Sequence, residues 1–361
     1  MRIITIACWL ITALVLTGLA TWFLTGTAFG INSGVWNLNW FTGISIGGWE
    51  VHSGPYEAVG VYNHPVAGVD SLNIDWIAGE VTVKPYDGGE LKITEFAQRE
   101  LQEDEQLKIT TSGGMLTIKF RESGRTLRMP QKKLEVLIPR AISDNLNRLL
   151  TDTASGGITI DEISADQMKA STVSGAVHIS NTSSRTLAMD SMSGSLTASS
   201  VLADDLTLES VSGSIRITGS TARRLDCEST SGSINSSGAF DSAKLSSLSG
   251  RISHDDSAPR TALNVSSTSG SIDMSGAFEK VNADCISGGV SIRSTVVPDS
   301  LKVETTSGRI TITVPNEGSI TVNHSSMSGS FSSDVPVVIQ NRGAQFEISS
   351  ISGSAKILEL D

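Results

Sequence analysis

The sequence predicts an all-β fold: a single-stranded β-helix solenoid of roughly nineteen-residue rungs, expected to be right-handed, preceded by one N-terminal transmembrane helix. Three observations carry this. A Ser-Gly pair recurs along the chain at near-constant spacing. Apolar residues alternate at fixed offsets on both sides of each pair, the two-residue period of a strand. Aromatics make up only 5% of a chain that is 39% hydrophobic, so the core must be built from Val, Ile and Leu, which favour strands.

Residues 1–30 read as a transmembrane signal anchor. From Ile3 to Trp49 there is no formal charge, and Ile3–Phe29 is apolar apart from Thr and Gly. As a helix that run would span about 40 Å, against roughly 30 Å of bilayer hydrocarbon. The apolar core of a secretory leader is shorter, about 7–15 residues. Arg2 would hold the amino terminus inside, leaving the bulk of the chain outside the cytoplasm on a single-pass cell-membrane anchor. A cleaved leader is the alternative, because Ala28-Phe29-Gly30 offers small residues at a cleavage spacing.

Residues 31–64 read as a Gly/Trp-rich juxtamembrane linker. Trp36, Trp40 and Trp49 suit the membrane–water boundary, where the ring is in an apolar layer and the N–H is wet. Residues 65–150 read as irregular N-terminal rungs and a cap. Taking Gly79 as a corner puts Leu72, Ile74, Val81 and Val83 in apolar places, and taking Gly114 does the same for Leu107, Ile109, Leu116 and Ile118. Extra strands are expected at Leu91–Ile93 and Leu134–Ile138. The charged stretches 99–106 and 119–133 suit an end cap, because a solenoid must close its open strand edges.

Residues 151–361 hold the regular repeat. Its corners are Gly156, Gly175, Gly194, Gly213, Gly232, Gly250, Gly270, Gly288, Gly308, Gly329 and Gly353, each preceded by serine. Seven before the glycine stand Leu206, Leu225, Leu263, Val281, Leu301, Val322 and Phe346. Five before stand Leu208, Cys227, Leu245, Val265, Val303 and Ile348. Two after stand Ile158, Val177, Leu196, Ile215 and their equivalents, and Ile160, Ile179 and Ile217 continue the series four after. Nineteen residues cannot bury a face alone, so successive coils must stack, about 4.8 Å apart. Glycine at the corner implies either a positive φ or a close approach of the neighbouring rung.

Three before each glycine stands a small hydroxyl, as at Thr153, Thr172, Ser191, Ser210, Ser229, Ser247, Ser267, Thr305, Ser326 and Ser350, or Cys285. The alternation points this position inward. The expectation is an internal ladder, each hydroxyl bonding to a neighbouring rung. Cys227 and Cys285 then lie three rungs apart, too far for a disulfide. Cys8 comes too early in the apolar run for a lipid-acylation site.

An N-terminal span, the Ala78–Val83 rung, the Leu134–Pro139 segment and the serial Ser-Gly coils together resemble the bacterial "putative adhesin", or toast-rack, family of unknown function, over about residues 65–361. The resemblance implies an extracytoplasmic β-helix associated with cell-envelope stress systems, and it brings no catalytic residues.

The remaining residues offer little chemistry. Net charge is −11, and no basic stripe appears, which argues against nucleic acid. His52, His64, His178, His254 and His324 have no metal-ligand spacing, and neither a metal nor a cofactor is expected. Asp204-Asp205 and Asp255-Asp256 could serve glycoside hydrolysis, but no Trp or Tyr follows residue 86 to form a sugar platform. Convergence of Asp204, Asp205, Asp226 and Asp255 in one cleft would favour an enzyme. Otherwise the reading is a non-enzymatic surface binding scaffold or envelope-stress sensor component, whose partner is an envelope polymer or a membrane protein. A surface adhesin and a carbohydrate-active enzyme are the alternatives.

Overall fold

The computed structural model describes residues 55–121, 130–258, 261–317, 320–337 and 343–360. The expected anchor over 1–30 and Trp36, Trp40 and Trp49 lie outside the described residues. Among the described residues, no helix is long and apolar enough to cross a membrane.

Each regular rung contributes two strands, joined at the Ser-Gly corner. A longer strand before the corner, such as Leu146–Ser155 or Ala165–Ser174, stacks in parallel on its equivalent in the next rung, with Thr153 opposite Thr172. A shorter strand after it, such as Ile158–Asp161 or Val177–Ser180, does the same on a second face. Like positions therefore form columns. Leu187, Leu206 and Leu225 follow one another in register, as do Met189, Leu208, Cys227, Leu245 and Val265. The second face stacks Ile158, Val177, Leu196, Ile215, Ile234 and Ile252, each 0% exposed. Burying each such side chain contributes about 1.5–3 kcal/mol. Because each layer covers the next, no rung could keep its core without its neighbours.

A second corner follows the short strand. Glu162, Asn181, Ser200 and Gly219, each six residues after its glycine, take φ of 54°, 53°, 53° and 57°. A left-handed residue turns the chain sharply, and polar side chains or glycine tolerate it best.

The two ends depart from sequential stacking. At the C-terminal end, Ala344–Ser352 pairs with both Ser300–Ser307 and Ile320–Ser328, so the last rung is inserted between the two before it. Ala355–Glu359 likewise lies between Ile310–Val314 and Phe331–Ser333. The corner order is thus Gly308, Gly353, Gly329. At the N-terminal end, Gly79 is a corner directly against Gly156, and Leu72, Ile74, Val81 and Val83 are all buried. Gly114 is not a corner. It sits in the tight turn, with φ +57° at Gly113 and +83° at Gly114, of the antiparallel hairpin Lys108–Ser112 and Met115–Lys119. Leu116 and Ile118 are buried as expected, but against Leu72 and Ile74, in the columns that precede the corner.

Leu91 and Ile93 belong to Glu90–Ala97, which runs antiparallel between Glu57–Pro65 and Lys132–Pro139. The strand Glu57–Pro65 replaces the last eight residues of the expected 31–64 linker and runs one residue past it. This end is plugged by large side chains. Trp76, 0% exposed, takes the place of the small hydroxyl opposite Thr153 and meets Phe120 edge-on at 4.8 Å. Lys132 is buried beside them and donates to Glu95 Oε1 at 2.6 Å, to the Glu105 carbonyl at 2.7 Å and to the Phe120 carbonyl.

Candidate functional site: the repeated columns and the outer trough

The corner glycines are defined by close approach. A Cβ on Gly194 would lie 1.5 Å from the Gly175 carbonyl oxygen, and one on Gly213 would lie 1.7 Å from that of Gly194. The same holds at all eleven corners, with distances of 1.5–2.4 Å to the glycine of the adjoining rung. Any side chain there would force two rungs apart.

The inward hydroxyl column exists, and it matches the expected ladder in part: Thr172, Ser247 and Cys285 each reach the corner carbonyl of the preceding rung, while most serines bond within their own rung. Ser191, Ser210, Ser229, Ser247 and Ser267 each accept the N–H of their own corner glycine, at 2.7–2.9 Å. The serine is three residues from an amide that the corner turns inward, so the bond closes within the rung. Threonine rungs behave differently. Thr153 Oγ1 lies 3.0 Å from both Thr172 Oγ1 and the Gly156 carbonyl, within hydrogen-bond reach of each, and the Gly156 amide donates instead to the next rung at the Ser174 carbonyl. Cys285 takes a serine's place, its thiol contacting the Gly270 and Gly288 carbonyls. Cys227 and Cys285 are both free and buried, and burial pushes both thiols up.

One polar group inside the solenoid was not anticipated. Ser236 and His254 replace the apolar residue four after the corner. Ser236 Oγ lies 2.7 Å from His254 Nδ1, and His254 Nε2 lies 3.1 Å from Asp256 Oδ2. Asp256 Oδ1 accepts the Ala258 amide at 2.7 Å. The trio has hydrolase-like connectivity, but Ser236 is 5% and His254 1% exposed. A nucleophile sealed in the lumen has no route to a substrate, and the arrangement satisfies buried polar atoms. The signal was present in the sequence, as two successive polar residues in a series that is otherwise apolar from Ile160 to Ile312. His178 lies on the outward column of the short strand and His324 on an inward column at the C-terminal end.

Outside, the acidic pairs do not converge. Asp204 pairs with Arg223 at 2.9 Å and Asp205 with Arg224 at 2.5 Å, each one rung on. Hydrogen bonding to Arg224 holds the Asp205 carboxyl below its usual range. Asp226 lies 3.3 Å from Lys244, while burial pushes its carboxyl up. Asp255 is on the other face, accepting from Ser275 at 2.7 Å. Beside these runs a carboxylate column four before the corner. Burial pushes Asp152, Asp190 and Glu209 up, and Lys169 sits 3.5 Å from Asp190. Among the described residues, no three potential ligands are gathered to hold a metal.

Asp205, Arg224, Asp226, Lys244, Lys280 and Lys302 line one shallow trough of about 820 Å³, floored by six successive long strands. Four cations face two carboxylates there, on a chain of net charge −11. The arrangement can hold an extended partner by charge and hydrogen bonding, and it presents no water-excluding cleft for chemistry.

Among curated proteins none matches the chain. Solved structures that superpose on it include a Parabacteroides distasonis protein described as a "Putative lipid binding protein", 14% identical with a TM-score of 0.39, covering 86% of this chain and 99% of the other. A "putative adhesin" from the same species is 12% identical with a TM-score of 0.37, covering 86% and 100%. A "putative cell adhesion protein" from Clostridium sporogenes is 8% identical with a TM-score of 0.19, covering 85% and 100%. These superpositions are too loose to carry an argument. The sequence match is firmer: the family model described as Toastrack DUF4097 matches residues 69–272 and 239–357, and the chain belongs to that family.

Proposed function

We propose that this protein is a non-enzymatic binding scaffold, held at the outer face of the cell membrane by its N-terminal segment and serving as a surface component of an envelope-stress system. The observation that supports it best is the outer trough. Charged side chains recur there at the rung spacing on five of the six strands, while the hydrolase-like trio Ser236, His254 and Asp256 is sealed in the core. A periodic, open, mixed-charge surface suits an extended envelope polymer or a strand-like segment of a membrane protein, in keeping with how solenoids bind. The uncharged run Ile3–Phe29 supports the tether.

Cosedimentation of the full chain with purified envelope fractions tests the binding role. Arg224→Glu with Lys280→Glu is expected to abolish cosedimentation without changing thermal stability. Unchanged cosedimentation removes the trough from the reading, and release of envelope fragments by the chain removes the non-enzymatic role. Alkaline phosphatase fusions after residue 64 test the topology, with an active fusion expected.

A further inference from the structure

We propose that the corner ridge of the regular rungs is a docking strip for a basic amphipathic helix of another protein. The helix would lay its apolar face along a stripe of outward side chains and set a Lys or Arg border against a column of carboxylates beside it. The stripe is the position two before each corner glycine. In stacking order it runs Ile77, Ala154, Val173, Met192, Val211 and Thr230. All six are half-buried, and further along the same column Leu248 is 46% and Ile286 42% exposed. A single exposed apolar side chain is ordinary, whereas a contiguous line of them marks an interaction surface.

Backbone pairing and spacing both favour a helix as the occupant. The carbonyls of Val173, Met192 and Val211 accept the amides of Ser193, Ser212 and Ser231 at 2.9–3.1 Å, so these groups are not available to an added strand. A partner must then bind through side chains and pair its own backbone, as a helix does. Successive rungs set the stripe's side chains about 4.8 Å apart, close to the 5.4 Å turn of a helix, whereas one face of a strand repeats about every 6.8 Å. The six layers cover roughly 24 Å, the length of about sixteen helical residues.

Charge sets the border of that helix. Four before the same corners stand Asp75, Asp152, Asp190, Glu209 and Glu228, in register on the same face with Ser171 among them. Lys119, Lys169 and Lys244 act on this column, and Asp226 adds a carboxylate, so six acids face three lysines. Burial, and then the charges of Asp190, Glu228 and Asp226, push the Glu209 carboxyl up, the mark of a negative column short of cations. On the other flank, one after the corner, Gly157, Ala176, Ser195, Ser214 and Ser233 are small and uncharged, leaving room for a close approach. A second copy would bring the same carboxylates against these, and an anionic lipid surface would be repelled likewise, so a basic segment is favoured. The stripe extends the scaffold reading to a second surface and shares no residue with the trough.

The test uses the full chain in uncharged phosphatidylcholine nanodiscs, with empty nanodiscs as the baseline, and a synthetic helical peptide of about 18 residues as the probe. The peptide carries leucines on one face, lysines along one border of that face and a benzophenone among the leucines. Fluorescence anisotropy should show binding above the baseline, and photocrosslinks should map to Val173, Met192 or Val211. The same peptide with glutamates for lysines should bind at least about tenfold more weakly. Met192→Lys with Val211→Lys should weaken the lysine peptide at least about tenfold at unchanged thermal stability, and Glu209→Gln should weaken it about threefold. Glu209→Gln decides the matter if the double variant unfolds. Arg224→Glu with Lys280→Glu, in the trough, should leave this binding unchanged. Equal binding of the two peptides, indifference to the Met192, Val211 and Glu209 substitutions, or crosslinks confined to the trough overturns the proposal. So does the lack of any binding above the baseline, as would occur if residues 1–54 of the same chain occupied the strip.

Discussion

Lys132 Nζ lies 2.6 Å from Glu95 Oε1 with both side chains fully buried, closing the N-terminal end of an otherwise aliphatic stack. The ammonium also faces Phe120 at 3.8 Å and Trp76 at 5.0 Å from the ring centres. Glu95 Oε2 accepts the Leu107 amide at 3.3 Å. Removing one partner leaves an uncompensated buried charge. Lys132→Met should therefore cost about 3–5 kcal/mol in chemical denaturation, and Lys132→Met with Glu95→Leu should recover most of it. A double variant as unstable as the single would show that the pair is not the unit.

The same lysine gives a pH dependence. Burial, partly opposed by Glu95, brings its pKa from 10.5 down to about 8. Between those values the unfolded chain holds a proton that the folded chain has shed, so this group's contribution to stability rises with pH across that window. The stability of the native chain minus that of Lys132→Met should increase from about pH 8 toward about pH 10. A flat or falling difference would contradict the assignment.

Corner glycines should be intolerant of any side chain. Gly213→Ala would place a Cβ 1.7 Å from the Gly194 carbonyl oxygen, while a Cβ at Gly89 meets nothing within 4 Å. The first should cost more than about 4 kcal/mol and the second should be nearly neutral. Thermal unfolding of the two variants distinguishes them directly.

Serine and threonine in the inward column should not be equivalent. Ser229→Ala strands the Gly232 amide that its hydroxyl accepts at 2.9 Å, and should cost about 1–3 kcal/mol. Thr305 Oγ1 is buried without a partner, so Thr305→Val should be neutral or stabilising. Equal losses at both positions would mean that the hydroxyls act only by filling space.

The sealed trio should be inert. A fluorophosphonate probe should leave Ser236 unlabelled in the folded protein. His254→Leu should destabilise by about 1–3 kcal/mol, by leaving Asp256 Oδ2 without its partner. Labelling of Ser236 would reopen the hydrolase reading.

What could be read in advance follows from what repeats. Leu208, Cys227, Leu245 and Val265 answer the same demand in successive layers, so spacing alone reveals that they share a column. Spacing does not reveal the order of the layers, because the rung of Gly353 would offer the same residues in either place. The ends were less legible for a different reason. Trp76, Lys132 and Glu95 meet only once, from strands that run in opposite directions, and no periodicity marks them. The trough was missed because Asp205 was read only beside its chain neighbour Asp204, whereas the pairing of Asp205 with Arg224 and of Asp226 with Lys244, each one rung on, appears only once the columns are in register.

Pulsed electron resonance between spin labels on one outward column tests the stacking and its inserted last rung together. Arg216 connects through Asn235, Ser253, Asp273, Ser291 and Thr311 to Lys356, and only then to Ser332. At about 4.8 Å per layer, labels at 216 and 356 should be roughly 29 Å apart, and labels at 216 and 332 roughly 34 Å. The 332 pair being the shorter would contradict the inserted order, and distances unrelated to the layer count would contradict the columns themselves.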